Sequence, residues 1–252
     1  MLDILRFDQQ PGIAHRLVSA SLATSLLCLA ACQISPEQPS SAPQASPVPS
    51  RAAIAEETVR YQILSDLSDV RFLVFRAGPF AKLGHNHVVQ AKNIRGEIRL
   101  SSDIRQSSLF IEIPVRDFHI DAEEARLDEG AEFLPQPDDE AIAGTARNMF
   151  GERVLDAAQY PTIEIASFAL NGPAWGMDVT VRIKFHGVER EIVVPTVVDR
   201  NGGKLLVTAL FSINQSDFGI VPMSVLGGAI QVDNTVRVRM RIVAGRVDAP
   251  PQ

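Results

Sequence analysis

From Val59 onward the chain alternates apolar and polar residues with the period of a β-strand. Val70, Phe72 and Val74 share one face, while Arg71 and Leu73 take the other. This run meets a Gly-Pro turn, after which Gly84-His85-Asn86-His87 leads into a second run. Ile94, Gly96, Ile98 and Leu100 alternate with Arg95, Glu97 and Arg99, and Leu109, Ile111, Ile113 and Val115 form the next ladder. Ile163 and Ile165 follow, then Val179, Val181, Ile183 and Phe185 opposite Thr180, Arg182 and Lys184. Glu191–Val198 reads as a hairpin return, with Asn201-Gly202-Gly203 as the next turn. Leu205–Ile213 and Asn234–Ala244 complete the set, and in the last Val236, Val238, Met240 and Ile242 oppose Arg237, Arg239 and Arg241.

About eight strands with one apolar face each predict an all-β domain, closed as an antiparallel barrel or stacked as a sandwich. An eight-stranded barrel is either packed with side chains or holds one small ligand, and alternation does not separate those outcomes. Ala122–Asp156 breaks the β rhythm and has room for one or two short helices. Asp121–Glu140 carries nine acids against the single Arg126, which predicts a solvated first part. Ile142, Ala146 and Met149 then recur at helical spacing, as a face able to lie across a barrel end.

Before residue 59 the pattern is different. Arg16 precedes an uncharged run, Leu17–Ala31, with the length of a signal-peptide core and too short for a comfortable membrane span. Its end, Leu29-Ala30-Ala31-Cys32, resembles the lipobox of bacterial lipoproteins, although an ordinary cleaved signal is the alternative. That resemblance implies cleavage before Cys32, lipidation of Cys32 and a membrane anchor. Gln33 rather than Asp follows the cysteine, so the expected place is the periplasm, anchored to the outer membrane. Residues 32–57 are rich in Pro, Ser, Ala and Gln and read as an extended tether. The expected organisation is a signal peptide over 1–31, the tether over 32–57, the barrel over 58–246 and a tail over 247–252.

The chain of 252 residues is 46% hydrophobic and carries a formal charge of −6, which argues against a nucleic-acid partner. Cys28 and Cys32 are the only cysteines, so the β-domain has neither disulfide nor thiolate site. No Ser-His-Asp spacing, Gly-rich phosphate loop or Cys pair appears, and the expectation is a binding protein without a cofactor rather than an enzyme.

Four stretches resemble the YceI-like family: Tyr61-Gln62-Ile63 with Ser68–Phe72, Tyr160–Ile165, Val179–Val188 ending Phe185-His186-Gly187-Val188, and Phe211–Asn214 with Ser216–Ile220. Gln215 stands where the family usually has Arg, and Gly84-His85-Asn86-His87 is not a general family feature. The resemblance implies a lipocalin-like antiparallel barrel that binds a polyisoprenoid or another long apolar lipid. The ladders then line a tunnel, through Phe72, Val74, Ile98, Ile111, Ile165, Val181, Ile183, Val238 and Met240. The plain alternative for each of these is core packing.

His85 and His87 face one side if extended, as two ligands of one metal would, with His119 or Asp121 as a third. A His85/His87/His119 metal site is therefore the alternative to lipid binding. Together with His186 at its turn, the same histidines are candidates for a polar rim around the tunnel.

Overall fold

The computed structural model describes residues 58–247 apart from Ala174. The expected signal peptide, Cys32 and the tether lie outside the described residues, as do residues 248–252 of the expected tail.

Twelve strands and two α-helices are described. The strands are β1 (Val59–Ile63), β2 (Asp69–Ala77), β3 (His87–Gln90), β4 (Arg95–Leu100), β5 (Ser108–Pro114), β6 (His119–Ile120), β7 (Thr162–Asn171), β8 (Met177–Phe185), β9 (Val188–Asn201), β10 (Lys204–Asn214), β11 (Ser224–Val225) and β12 (Ile230–Arg246). The helices are α1 (Glu123–Glu129) and α2 (Asp139–Phe150). All pairings are antiparallel, and the order β1-β4-β5-β7-β8-β9-β10-β12 closes through β12 onto β1. That makes a closed barrel of eight strands, and the barrel-or-sandwich alternative is resolved in favour of the barrel.

The ring has a second storey on one side. One edge of β12 pairs first with β1, Ile63 opposite Ala244, and then with β2, Asp69 opposite Arg241 through Ala77 opposite Gln231. β1 and β2 are thus one strand interrupted by the turn at Ser65–Leu67. Ser68 bridges the break, its hydroxyl donating to Leu64 O at 2.8 Å and accepting from Val243 N–H at 3.0 Å. β3 and β4 are separated in the same way by 91–94, and β5 and β6 by the turn at Val115–Asp117. Beyond these breaks β2, β3 and β6 form a short wing standing on the ring. Ring strands such as β8 alternate along their length, whereas β3 and β6 span four and two residues, too short for a period to show.

The main core fills the barrel, with Ile111, Ile113, Ile163, Leu205, Ile242 and Val238 among its buried side chains. A second core lies on the outer face of the wing, where Leu73, Val88, Ala125 and Phe133 pack with Phe75. The expected solvation holds for most of the acids in 121–140, Glu123, Glu124, Asp128 and Glu132 among them, but the segment also buries Asp121, Arg126 and Phe133. The segment 121–136 is a packed cover over β2 and β3, and Asp121, Arg126 and Phe133 are among the most buried residues described. Two of its acids, Asp128 and Glu129, meet cations from the barrel. Arg71 reaches Asp69 at 2.8 Å and Asp128 and Glu129 at 3.0 Å, and Arg239 reaches Glu129 at 3.1 Å. Of the one or two short helices expected, two are present. α2 carries Ile142, Ala146 and Met149 half-buried, and Met149 packs against the main core.

Candidate functional site

Three cavities follow one another through the barrel interior. The first, about 70 Å³, lies among Ile98, Leu100, Leu109, Val179, Val207 and Met240. The middle one, about 20 Å³, is enclosed by Val70, Ile111, Ile163, Val238 and their neighbours. The third, about 160 Å³, lies under the wing and α2, among Phe72, Val74, His87, Val89, Phe118 and Met149. Ile111, Ile165, Ile183 and Met240 wall both the first and the middle cavity, while Phe72, Ile163, Phe185 and Ile213 wall both the middle and the third. Side chains shared between neighbouring cavities thus lie between the three. All nine residues expected to line a tunnel line one or more of these cavities. Met149 and Met223 were not foreseen as lining, because each sits outside a β ladder.

The third cavity is where polarity enters. His87 is its one titratable lining side chain, accompanied by Thr145, Asn148 and Gln215. His87 Nδ1 lies 2.6 Å from Asp121 Oδ2, and the Asp121 carboxylate is fully enclosed. Asp121 Oδ1 accepts from the Val88 N–H at 2.9 Å and from Arg126 at 2.5 Å. Arg126 is itself 1% exposed and donates further to the carbonyls of Asn86 (2.7 Å), Phe133 and Pro135 (3.2 Å). Asn86 ties the arrangement to both sides, accepting from Arg76 N–H at 3.0 Å and donating to Glu132 O at 2.8 Å. Gln136 donates to Asp121 O at 2.7 Å.

Burial alone pushes the Asp121 carboxyl up, but the hydrogen bonds from His87, Val88 and Arg126 and the charge beside it outweigh that, and its pKa is lowered from the ordinary value. An ionised carboxylate therefore faces His87, accepting the Nδ1 proton and fixing the ring's orientation.

The histidines do not converge as the metal alternative requires. His85 is exposed, with its ring 6.4 Å from that of His87. His119 is exposed on β6 opposite Gln90. Among the described residues no group of three or more His, Cys, Asp or Glu side chains is placed to hold a metal ion. The His85/His87/His119 set is therefore not assembled as a ligand group, and the Asp121 carboxylate occupies His87 Nδ1. His186 stacks on Tyr160, with ring centroids 4.7 Å apart, at the β8–β9 turn, where its Nδ1 lies 3.2 Å from Phe218 O. Of the four rim candidates, His87 alone lines a cavity.

Two loops at the wing's end carry exposed apolar side chains, Leu83 (70%) on one and Val221 (75%) and Leu226 (72%) on the other. Phe80 N–H donates to Ala229 O at 2.8 Å and holds the loops together. Met223, on the second loop, belongs to the wall of the third cavity.

These features define a closed antiparallel barrel with an apolar interior and a polar group anchored at one end. The chain belongs to the YceI-like domain family, whose model matches residues 61–244. Among solved structures it is similar to BcnA of Burkholderia cenocepacia, with a TM-score of 0.54 and 15% identity over 72% of this chain and 98% of the other. It is also similar to a polyisoprenoid-binding domain of Saccharophagus degradans implicated in plant cell wall breakdown, with a TM-score of 0.51 and 13% identity over 75% and 99%. At these identities the likeness is one of fold. No curated protein matches the chain.

Proposed function

We propose that this protein binds an isoprenoid or another long apolar lipid inside its barrel, as a carrier or store rather than a catalyst. The observation that carries the reading is the file of three apolar cavities separated by a few shared side chains. A water-filled cavity needs several polar partners, and the Ile, Val, Leu and Phe that dominate these walls offer none; in the third cavity only His87, Thr145, Asn148 and Gln215 do. An acyl or prenyl chain threading them gains roughly 25 cal/mol for each Å² of apolar surface removed from water. The binding named for the Saccharophagus degradans domain fits this reading. We place the protein in the bacterial cell envelope, held to the outer membrane by lipidated Cys32.

Native mass spectrometry of the purified protein is expected to show one stoichiometric apolar adduct, removable by solvent and restored by a prenyl lipid. Ile165→Trp, at a wall shared by two cavities, is expected to weaken rebinding at least tenfold, about 1.4 kcal/mol. Protein that is empty as isolated and takes up no prenyl lipid would overturn the reading. For the anchor, Cys32→Ser is expected to move the protein from the membrane to the soluble fraction or leave it uncleaved. Unchanged partitioning would refute lipidation.

A further inference from the structure

One link of the ring is shorter than the two strands that make it. β9 and β10 pair from Asn201 opposite Lys204 to Thr196 opposite Ala209, and there their ladder stops. Both strands run on. Val188–Pro195 continues along β8 as far as Val188 opposite Phe185, and Leu210–Asn214 continues along β12 as far as Asn214 opposite Thr235. Among the described residues these two facing edges are unpaired. Pro195, the first residue of β9 past the ladder, has no N–H with which to extend it. The strands meet again farther on, where the turn Gln215–Phe218 that follows β10 lies against β9. Phe218 is buried there with its ring 5.6 Å from that of Phe185, and Gly219 lies beside Val188. The barrel wall thus contains a slot with two closed ends.

The slot runs alongside the interior. Leu205, Val207 and Ala209, on the paired part of β10, are buried, whereas Phe211 and Ile213 beyond them are only half-buried. Ile192, which would face Ile213 if the register ran on, is half-buried as well. Phe211 walls the first and middle cavities, and Ile213 walls the middle and third. On the outer face the slot is edged by Val193 (58% exposed), Leu210 (61%) and the exposed Pro195. The edges are apolar on both sides of the wall.

An unpaired edge also invites a strand from another chain, and charged side chains are a common guard against that. Glu189, Arg190 and Glu191 are exposed along the free part of β9, with Arg182 reaching Glu189 at 3.1 Å and Glu191 at 2.8 Å. Such an edge does not suit a docked strand; it suits a chain with no hydrogen bonds to make. Widening the slot breaks no ladder hydrogen bond, whereas parting a paired stretch of the ring breaks several. The wing's end is tied more firmly, by Phe80 N–H to Ala229 O and by Val232 N–H to Met223 O, each at 2.8 Å.

We propose that the apolar ligand enters and leaves the barrel sideways, through the slot between β9 and β10, with Val193, Pro195 and Leu210 as its outer landing site. The inference rests on the reading of the interior as a lipid site and adds the route by which that site is filled. A long chain entering from the side lies down beside all three cavities at once, without threading past the side chains shared between them.

The test times exchange. Diphenylhexatriene, an apolar rod that fluoresces on leaving water, is mixed with the delipidated full-length chain, and its release into phosphatidylcholine vesicles is then followed. Val193→Glu with Leu210→Glu is expected to slow uptake and release alike, about tenfold each, and to keep affinity within about twofold, because neither residue walls a cavity. Wild-type rates in this variant overturn the lateral route. A second measurement covers a variant that fails to fold. With Cys28→Ser and Cys32→Ser in place, Val193→Cys and Ser212→Cys are bridged across the slot by a flexible bis-maleimide. Uptake is expected to fall about tenfold on bridging, and an unchanged rate overturns the proposal. So does a bridge between Leu83→Cys and Leu226→Cys, at the wing's end, if that is the one that blocks uptake. Wild-type protein that takes up no probe overturns the lipid site itself.

Discussion

Arg126→Ala is expected to destabilise the protein by about 3–5 kcal/mol, the cost of leaving a buried charge without its partner. Asp121 would keep only the His87 and Val88 donors, in a site with no solvent access. The carbonyls of Asn86, Phe133 and Pro135 would lose their donor together. Urea unfolding reads the total, and hydrogen exchange locates it: protection is expected to fall across 121–136 before it falls in the ring. The paired change Asp121→Leu with Arg126→Met is expected to recover only the part due to the unpaired charge, because the Val88 N–H and the carbonyls of Asn86, Phe133 and Pro135 stay without partners. If Arg126→Ala leaves the urea midpoint unchanged, the buried pair does not hold the cover.

The second large effect belongs to Gly96. Within β4 it has a φ of +141°, and a β-carbon there would lie 2.0 Å from the Phe110 carbonyl oxygen of β5. Because that neighbour is backbone, the clash is relieved only by separating two strands of the ring, Gly96 being paired with Ile111. Gly96→Ala is expected to cost about 4 kcal/mol or more, in the range reserved for a few severe mechanisms. Gly130→Ala makes the control: its φ is +92°, but nothing lies within 4 Å of an added β-carbon. It carries backbone strain alone, about 1–3 kcal/mol. Equal midpoints in urea for the two variants would show that the β4–β5 approach is looser than this geometry.

What was legible in the chain and what was not divide along physical lines. Strands such as β8 and β12 face the interior on one side and solvent on the other, so their period is written into the residues. The same alternation placed Val181, Ile183, Val238 and Met240 on the walls of one interior. It did not reveal that cavities of about 70, 20 and 160 Å³ remain between those side chains, since a fully packed barrel has the same pattern. β2 past the ring was misleading, because Arg71 and Leu73 read as an outward face yet are covered by 121–136. A run of nine acids normally signals solvation, and most of these are exposed, but Asp128 and Glu129 find cations in Arg71 and Arg239, distant in sequence. Asp121 was weighed only as a metal ligand; its meeting with His87 depends on β3 and β6 pairing, a contact 34 residues long in sequence. The one usable signal was the unusual Gly84-His85-Asn86-His87 run itself, of which Asn86 and His87 prove to be the buried half.

The seam between β1 and β12 has a consequence for how the domain can be cut. Tyr61 lies opposite Arg246, and Val247 N–H donates to Arg60 O at 2.9 Å, so the domain starts and finishes on neighbouring strands. A closed ring has no first strand of its own. Its cyclic order is set by which edges pair and not by where the chain enters, so a circular permutant joined across this seam and opened at Gly202-Gly203 would contain the same barrel. The entry point is a property of the gene, while the ring is a property of the pairings.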